Sequence, residues 1–233
     1  MRPLLLDLFA GAGGAAVGYE RAGFRVVGVD VKPQPRYPFE LHVADALDVC
    51  ESILNGGHWF YEIGEPDAIH ASPPCLPYTA LRHTTGRTYP ELVEPTRAAL
   101  EALAPVPYVI ENVPGAPLIN PVIVCGTSVG LPFVECDDKR RQVWRHRLFE
   151  TNWPLLVPPC AHTVPALGTY GHGGSWLRTG SIRGGYTASA AEKRLGMGTE
   201  WMTRDEAADA VPPAYTELIG TALLAFLNRR EAA

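Results

Sequence analysis

The sequence has no apolar run approaching the roughly 18 residues that cross a bilayer as a helix. Its start, Met1-Arg2-Pro3 and a short apolar stretch, lacks the layout of a secretory signal. Cysteine is scarce: five residues, at 50, 75, 125, 136 and 160, form no even-numbered disulfide framework. These absences lead us to expect a reduced, cytoplasmic protein with no membrane partner. Internal repeats and low-complexity tracts are also missing. An excess of positive charge is missing as well, the formal net charge being −5, which on its face argues against a nucleic-acid binder.

What is present is a chain of 233 residues, 46% apolar and 19% charged, with 23 glycines and 22 prolines. That composition excludes intrinsic disorder and suits one large domain, alone or with a small appendage. The charge is unevenly spread. Between Lys139 and Arg183 lie seven Lys/Arg against one acid, Glu150, a local +6, leaving −11 elsewhere. A basic segment in an acidic chain is a candidate polyanion footprint, or else a solvated basic face.

Short β-rich runs alternate with helical stretches through the first two-thirds: strands at 4–9, 25–29, 42–43, 68–71, 108–110, 122–125 and 148–149, helices at 14–22 and 96–104. This alternation predicts an α/β domain with a largely parallel sheet. From about 152 to 185 the chain is rich in Gly, Pro, Ser and Thr, the composition of a functional loop system or small module. Order returns near Ala188, and 214–228 carries the apolar spacing of an amphipathic helix.

Open α/β sheets bind ligands beyond the carboxyl ends of their strands. At those ends stand Asp7 with Gly11-Ala12-Gly13-Gly14, then Asp30, Asp45, Cys75 and Glu111. The turn DLFAGAGG lets a ligand approach the backbone, and an acid ending the second strand can take ribose hydroxyls, so an NAD site is one reading. In SPPC, two prolines stiffen the approach to a thiol, which holds a nucleophile still or merely places a small buried side chain. ENV ends an apolar strand with a carboxylate that can serve as a proton donor or as a structural cap. Arg145-His146-Arg147 enters the next strand, where arginines can hold a carbonyl or phosphate oxygen.

In order, DLFAGAGG, GVD, ADA, SPPC, ENV, RHRLF and AVPPAYTELIG resemble the successive motifs of the DNA (cytosine-5)-methyltransferase family, over residues 4–150 and about 205–228. No NAD dehydrogenase accounts for SPPC, ENV and AVPP together. The resemblance implies a Rossmann-like S-adenosylmethionine-dependent methyltransferase sheet with a small, loop-rich target-recognition module. The catalytic domain would be 1–150 plus 196–233 and the module 151–195.

The resemblance also implies roles. Asp7, Phe9, Ala10, Gly11, Gly13, Gly14, Asp30, Val31, Asp45, Ala46, Pro74, Asp209, Ala210 and Val211 would form the S-adenosylmethionine pocket, with Phe9 near the adenine and Asp30 on the ribose hydroxyls. Cys75 would attack carbon 6 of a flipped-out cytosine. Glu111, protonated, would hold ring nitrogen 3 and the exocyclic amine; Arg147 would hold the ring oxygen, with Arg145 supporting phosphate or the loop. Thr79, Arg82 and Arg87 would lie on a loop that closes over the nucleotide, while Arg178 and Arg183 would read a short site of about two to four base pairs in double-stranded DNA. No metal is expected: Cys160-x-His162 with Cys136 and His172 lacks paired C-x-x-C spacing.

Four departures from the family pattern stand out. Leu76 replaces the glutamine after the catalytic cysteine, and Val143 stands where a glutamine is expected, with Gln142 one place off. An insertion of about nine residues follows Gly130-Leu131-Pro132, and Ala208-Asp209 replaces Gly-Asn. A carboxylate at 209 would alter the charge facing the donor and hence donor preference. Small size and a short recognition segment resemble bacteriophage methylases, whose mark protects DNA from host nucleases, more than large restriction-modification enzymes. A monomer is expected. The competing readings are a tRNA-cytosine methyltransferase on the same scaffold, a catalytically inactive DNA- or donor-binding module, and the NAD enzyme.

Overall fold

The computed structural model describes residues 2–79, 89–136, 138–169 and 188–232. Strands β1 (Leu4–Leu8), β2 (Arg25–Asp30), β3 (Glu40–Val43), β4 (Ala68–Ala71), β5 (Tyr108–Asn112), β6 (Val122–Val124) and β9 (Arg147–Thr151) form one sheet, ordered β3-β2-β1-β4-β5-β9-β6. β1 to β5 are mutually parallel, while β9 runs antiparallel to both β5 and β6. The α/β expectation therefore holds, with a largely parallel sheet closed by an antiparallel edge.

The sheet is buried on both faces, which is why β1 reads as an unbroken apolar run interrupted only by Asp7. Leu4, Leu6 and Leu8 face one core with Val27, Val29 and Ile69, covered by α2 (Ala46–Leu54) and α4 (Val93–Ala102). Leu5 faces the other, with α1 (Gly14–Ala22) and the long α7 (Pro213–Glu231). Each such leucine contributes about 1.5–3 kcal/mol of burial. The α1–α7 contact is close enough to demand glycine: a methyl group on Gly18 would lie 2.1 Å from the Pro213 carbonyl oxygen. Thr216 Oγ1 donates across the same seam to the Ala15 carbonyl at 2.8 Å.

Observed elements differ from sequence expectation at their ends. α4 begins one turn before the expected 96, since Pro95 is tolerated in a first turn, and stops at Ala102 ahead of Pro105 and Pro107. The insertion after Leu131 folds as a hairpin, β7 (Val134–Cys136) with β8 (Lys139–Val143). β10 (Ala166–Leu167) pairs parallel with β8 to make a second, three-stranded sheet. α5 (Ala190–Met197) packs on that sheet through Gly196, where a side chain would collide with Leu167 at 2.6 Å. α3 (His58–Ile63) and α6 (Arg204–Asp209) complete the described helices. None of these helices is long and apolar enough to cross a membrane.

Candidate active site

β1, β2, β4 and β5 all end on the same edge of the sheet, so the motifs after them meet there. Because β9 runs antiparallel, its first residue, Arg147, returns to the edge at which Glu111 ends its strand. Their side chains form an ion pair, Arg147 Nε to Glu111 Oε1 at 3.2 Å, with both almost wholly buried.

Cys75 follows β4 through 72–74 and caps a single 3-10 turn, Leu76–Tyr78. Two ties hold this segment. Asn112 Nδ2 donates to the Pro73 carbonyl at 2.9 Å. Ser72 bonds to His70 Nε2 at 2.8 Å, and His70 Nδ1 meets the Tyr19 hydroxyl at 3.0 Å. Burial pushes the His70 imidazole down to about 3, so it is a neutral structural group. The Cys75 thiol is half-buried, and that burial pushes its pKa up; Arg147 works against the rise, Glu111 and Asp209 add to it, and Arg145 lowers it. Four charged residues from three distant motifs thus converge electrostatically on one thiol.

Arg145 serves the frame. It is 1% exposed and its Nη2 donates 2.7 Å to the Ala208 carbonyl, while the Tyr215 hydroxyl donates to its backbone carbonyl. It therefore ties the entrance of β9 to the segment that presents Asp209. Thr79 is half-buried and donates to the Leu76 carbonyl at 3.1 Å. Arg82, Arg87, Arg178, Arg183 and His172 lie outside the described residues.

On the other side of Cys75 the β1–α1 turn opens towards solvent. Gly11 has φ +51 and open space where a side chain would project. Its N–H donates to Asp30 Oδ2 at 2.9 Å, and Lys32 N–H to Oδ1 at 2.9 Å, which aims the half-buried carboxylate at the end of β2. Asp45 is exposed and caps α2 by accepting from Leu47 N–H at 2.8 Å, with Ala46 buried behind it. Phe9 is half-buried at φ 59, and Val31 and Pro74 are exposed. An open glycine, an oriented acid and a partly exposed aromatic on one strand edge fit an adenosyl ligand. Other residues of the expected pocket face inward. Asp7 is 1% exposed under the Tyr37 hydroxyl, which donates to it at 3.1 Å; burial raises its carboxyl to about 8. Gly13 is covered by Tyr37 and Pro38, and Gly14 abuts the Val211 carbonyl. Ala10 and Val211 are buried, and Ala210 ends α6. A separate concavity of about 240 Å³, between α2 and α4, is lined by none of these residues.

The positive segment is less exposed than its charge suggests. Arg141, Arg145 and Arg147 are all buried, and Arg141 donates to the Ala166 carbonyl at 3.1 Å within the small sheet. Arg140 lies over the Phe133 ring at 3.8 Å. Of the described bases there, Lys139 and Arg140 alone are surface residues. Sequence reading also missed a buried bidentate pair, Arg97 Nε and Nη2 to Glu150 at 2.7 and 2.8 Å, although Glu150 was noted as the segment's one acid. Missed too was a group of four Cys and His side chains around His146.

Residues 4–117 match the family described as C-5 cytosine-specific DNA methylase. Two curated relatives are similar in sequence. The Type II methyltransferase M.XorII of Xanthomonas oryzae is 30% identical over 122 residues, 49% of this chain and 29% of the relative. M.AplI of Arthrospira platensis is 31% identical over 81 residues, 33% of this chain and 21% of the relative. The matched segment thus spans less than a third of either relative's length. Three solved structures share the fold. A prophage-encoded E. coli protein described as a DNA modification methyltransferase superposes with TM-score 0.61 at 15% identity, covering 97% of this chain and 99% of its own. The Entamoeba histolytica methyltransferase EhMeth gives 0.57 at 13%, covering 97% and 99%. The S. pombe Dnmt2 methyltransferase gives 0.55 at 12%, covering 98% and 100%.

Proposed function

We propose that the chain belongs to the C-5 cytosine-specific DNA methylase family, whose model matches residues 4–117, and that it methylates carbon 5 of cytosine in double-stranded DNA. The observation carrying this reading is that one sheet edge brings together the buried Arg147–Glu111 ion pair and the Cys75 loop, which Asn112 ties to the strand of Glu111.

The chain's residues divide the work as follows. S-adenosylmethionine, when bound, supplies the methyl group; Gly11, Asp30, Asp45 and Phe9 are the residues that would hold it. Cys75, as thiolate, adds through Sγ to carbon 6 of a cytosine flipped from the duplex, leaving the electron pair on the ring. Glu111, protonated, holds nitrogen 3 and the exocyclic amine while Arg147 holds the ring oxygen, so charge developing on the ring meets fixed partners. Carbon 5 would use that electron pair to take the donor's methyl group. A base, water or hydroxide, then removes the carbon-5 proton, and the freed pair re-forms the 5,6 double bond as the carbon 6–Sγ bond breaks and the thiolate leaves. Arg145 acts as a positioning residue through Ala208.

The catalytic domain is assigned to 1–150 plus 196–233 and the recognition module to 151–195; pairing of β10 with β8 supports extending that module to the β7–β8 hairpin. The shortness of the module as assigned supports a short recognition site, in keeping with a phage-type enzyme rather than a large restriction-modification one.

A duplex carrying 5-fluorocytosine tests the reading. It should form a covalent adduct with the wild type in the presence of donor, and none with Cys75→Ala. A tRNA substrate run in parallel distinguishes the RNA branch of the chemistry. Donor-bound, folded protein that traps neither nucleic acid would refute the assignment.

A further inference from the structure

Three segments distant in sequence bring two cysteines and two histidines together beside the active-site arginines. Cys125 immediately follows β6, His146 stands between Arg145 and Arg147, and Cys160 and His162 lie on the chain leading to β10. Their sulfur and ring-nitrogen atoms all lie within 4.8 Å of one another. Cys125 Sγ is 3.3 Å from His162 Nε2, and Cys160 Sγ is 3.4 Å from His146 Nε2. Neither cysteine is in a disulfide.

From this geometry we propose that Cys125, His146, Cys160 and His162 bind one structural zinc ion as a tetrahedral Cys2His2 site. Zinc–sulfur bonds of about 2.3 Å and zinc–nitrogen bonds of about 2.0–2.1 Å make tetrahedral edges of about 3.3–3.8 Å. The two sulfur–nitrogen contacts already stand at such edges, and the remaining separations close to them with about 1 Å of side-chain adjustment. Weak thiol–imidazole hydrogen bonds would explain either contact singly. They would not explain why two thiols and two imidazoles share one site.

The surroundings suit metal ligands. Thr127 Oγ1 donates to Cys125 Sγ at 3.3 Å and accepts from the Ala161 N–H at 3.1 Å, so the segment carrying Cys160 is braced against that carrying Cys125. The His162 ring is stacked on Trp144, 4.1 Å between centroids and 7° from parallel, with His146 edge-on to it at 5.2 Å. Such contacts fix ring orientation, as the partners of metal-bound histidines do. Cys125 is buried while Cys160 and His162 face solvent, which gives the ion a route in.

The ion would clamp residue 146, and with it the backbone holding Arg145 and Arg147, to the far edge of the large sheet and to the approach of the small one. That consequence rests on the function proposed above; the metal site itself does not.

The full chain, purified from zinc-supplemented cells, should carry about one zinc per chain by elemental analysis. Cys125→Ser with Cys160→Ser should fall below about a tenth of that, as should the milder His162→Ala at an exposed position, while Cys136→Ser keeps the metal. Cobalt replacing zinc in the wild type should give thiolate-to-cobalt charge-transfer absorption and intense tetrahedral visible bands. Removing the ion should lower Tm by more than about 5 °C, restored by zinc. Folded wild type with sub-stoichiometric zinc and no cobalt spectrum would overturn the proposal, as would a Cys125–Cys160 disulfide in non-reducing peptide mapping. Zinc-loaded protein that traps no cytosine would leave the metal site standing and refute the methyltransferase reading; wild type that traps cytosine yet emerges from zinc-supplemented cells without zinc and gives no cobalt spectrum would do the reverse.

Discussion

Asn112 Nδ2 reaches back from the end of β5 to hold the Pro73 carbonyl at 2.9 Å, while its own Oδ1 accepts from the Val113 N–H at 2.9 Å. One buried amide therefore couples the strand carrying Glu111 to the loop carrying Cys75. This explains why an asparagine follows the glutamate: donor and acceptor are both needed, in a site 1% exposed.

Asn112→Ala would leave the Pro73 carbonyl without this partner and free the loop. Removing such a buried bond costs about 1–3 kcal/mol of stability. A displacement of about 1 Å at the thiol can cost around 100-fold in rate. We expect adduct formation with 5-fluorocytosine DNA to slow 10- to 100-fold, with donor affinity retained. Single-turnover trapping beside donor titration checks this. An unchanged trapping rate would show that the prolines and the Ser72–His70 tie hold the loop without Asn112.

Arg97 on α4 and Glu150 on β9 make a second buried link, joined by Arg97 Nη2 to the Pro117 carbonyl at 2.7 Å and by the Ile119 N–H to Glu150 at 2.6 Å. Breaking such a pair from one side leaves a buried charge, so Arg97→Ala should cost about 3–5 kcal/mol in urea unfolding. Arg97→Met combined with Glu150→Leu should recover most of that loss, because neither charge is then stranded. A single-variant loss below about 1 kcal/mol would make the pair equivalent to a surface one.

The ends of β1, β2, β4 and β5 were legible because a doubly covered parallel sheet writes its strands as apolar runs and its ligand-facing residues directly after them. Orientation was not legible. Arg141, Arg145 and Arg147 count as positive charge in a sum, yet each is buried against a carbonyl or carboxylate. Helices α2, α3, α5 and α6 escaped notice, although α5 and α6 carry a readable signal, the capping boxes Ser189-x-x-Glu192 and Thr203-x-x-Glu206. The Cys/His group had no such signal. Its members are separated by 20, 13 and 1 intervening residues and meet through pairing of β6 with β9 and the return of the chain near 160. Cys136, weighed with Cys160 as a metal ligand and set aside on spacing, lies in β7 and donates to the Val134 carbonyl.

Two buried groups under the site set opposite pH slopes on stability. His70 falls from 6.5 to about 3 on folding, so its contribution is complete above 6.5 and is lost as pH drops towards 3. Asp7 rises from 3.8 to about 8, so its contribution is complete below 3.8 and is lost as pH rises to about 8. Between about 4 and 6.5 the slopes cancel; above that, Asp7 alone costs about 1.4 kcal/mol per pH unit. Urea unfolding across this range should show a plateau followed by an alkaline decline. Asp7→Asn, which can still accept from Tyr37, should abolish the decline, and a decline that persists would place its origin elsewhere.

The Cys75 thiol must lose its proton to attack, and burial, Glu111 and Asp209 hold that proton more strongly than the arginines release it. Below the thiol pKa the thiolate fraction grows about tenfold per pH unit. Single-turnover trapping should therefore still be rising above neutral pH, with no plateau near 7. Asp209→Asn removes a carboxylate that raises the thiol, so it should speed trapping at neutral pH by about 2- to 5-fold, the effect of a partly screened charge. Arg147→Gln should slow trapping by more than the lost thiolate fraction, because Arg147 also holds the ring oxygen. Donor competition on the same Asp209 variant separates two roles for this carboxylate. A change in trapping with unchanged donor preference assigns Asp209 to the thiol, whereas a change in donor preference assigns it to the methionine end of the donor.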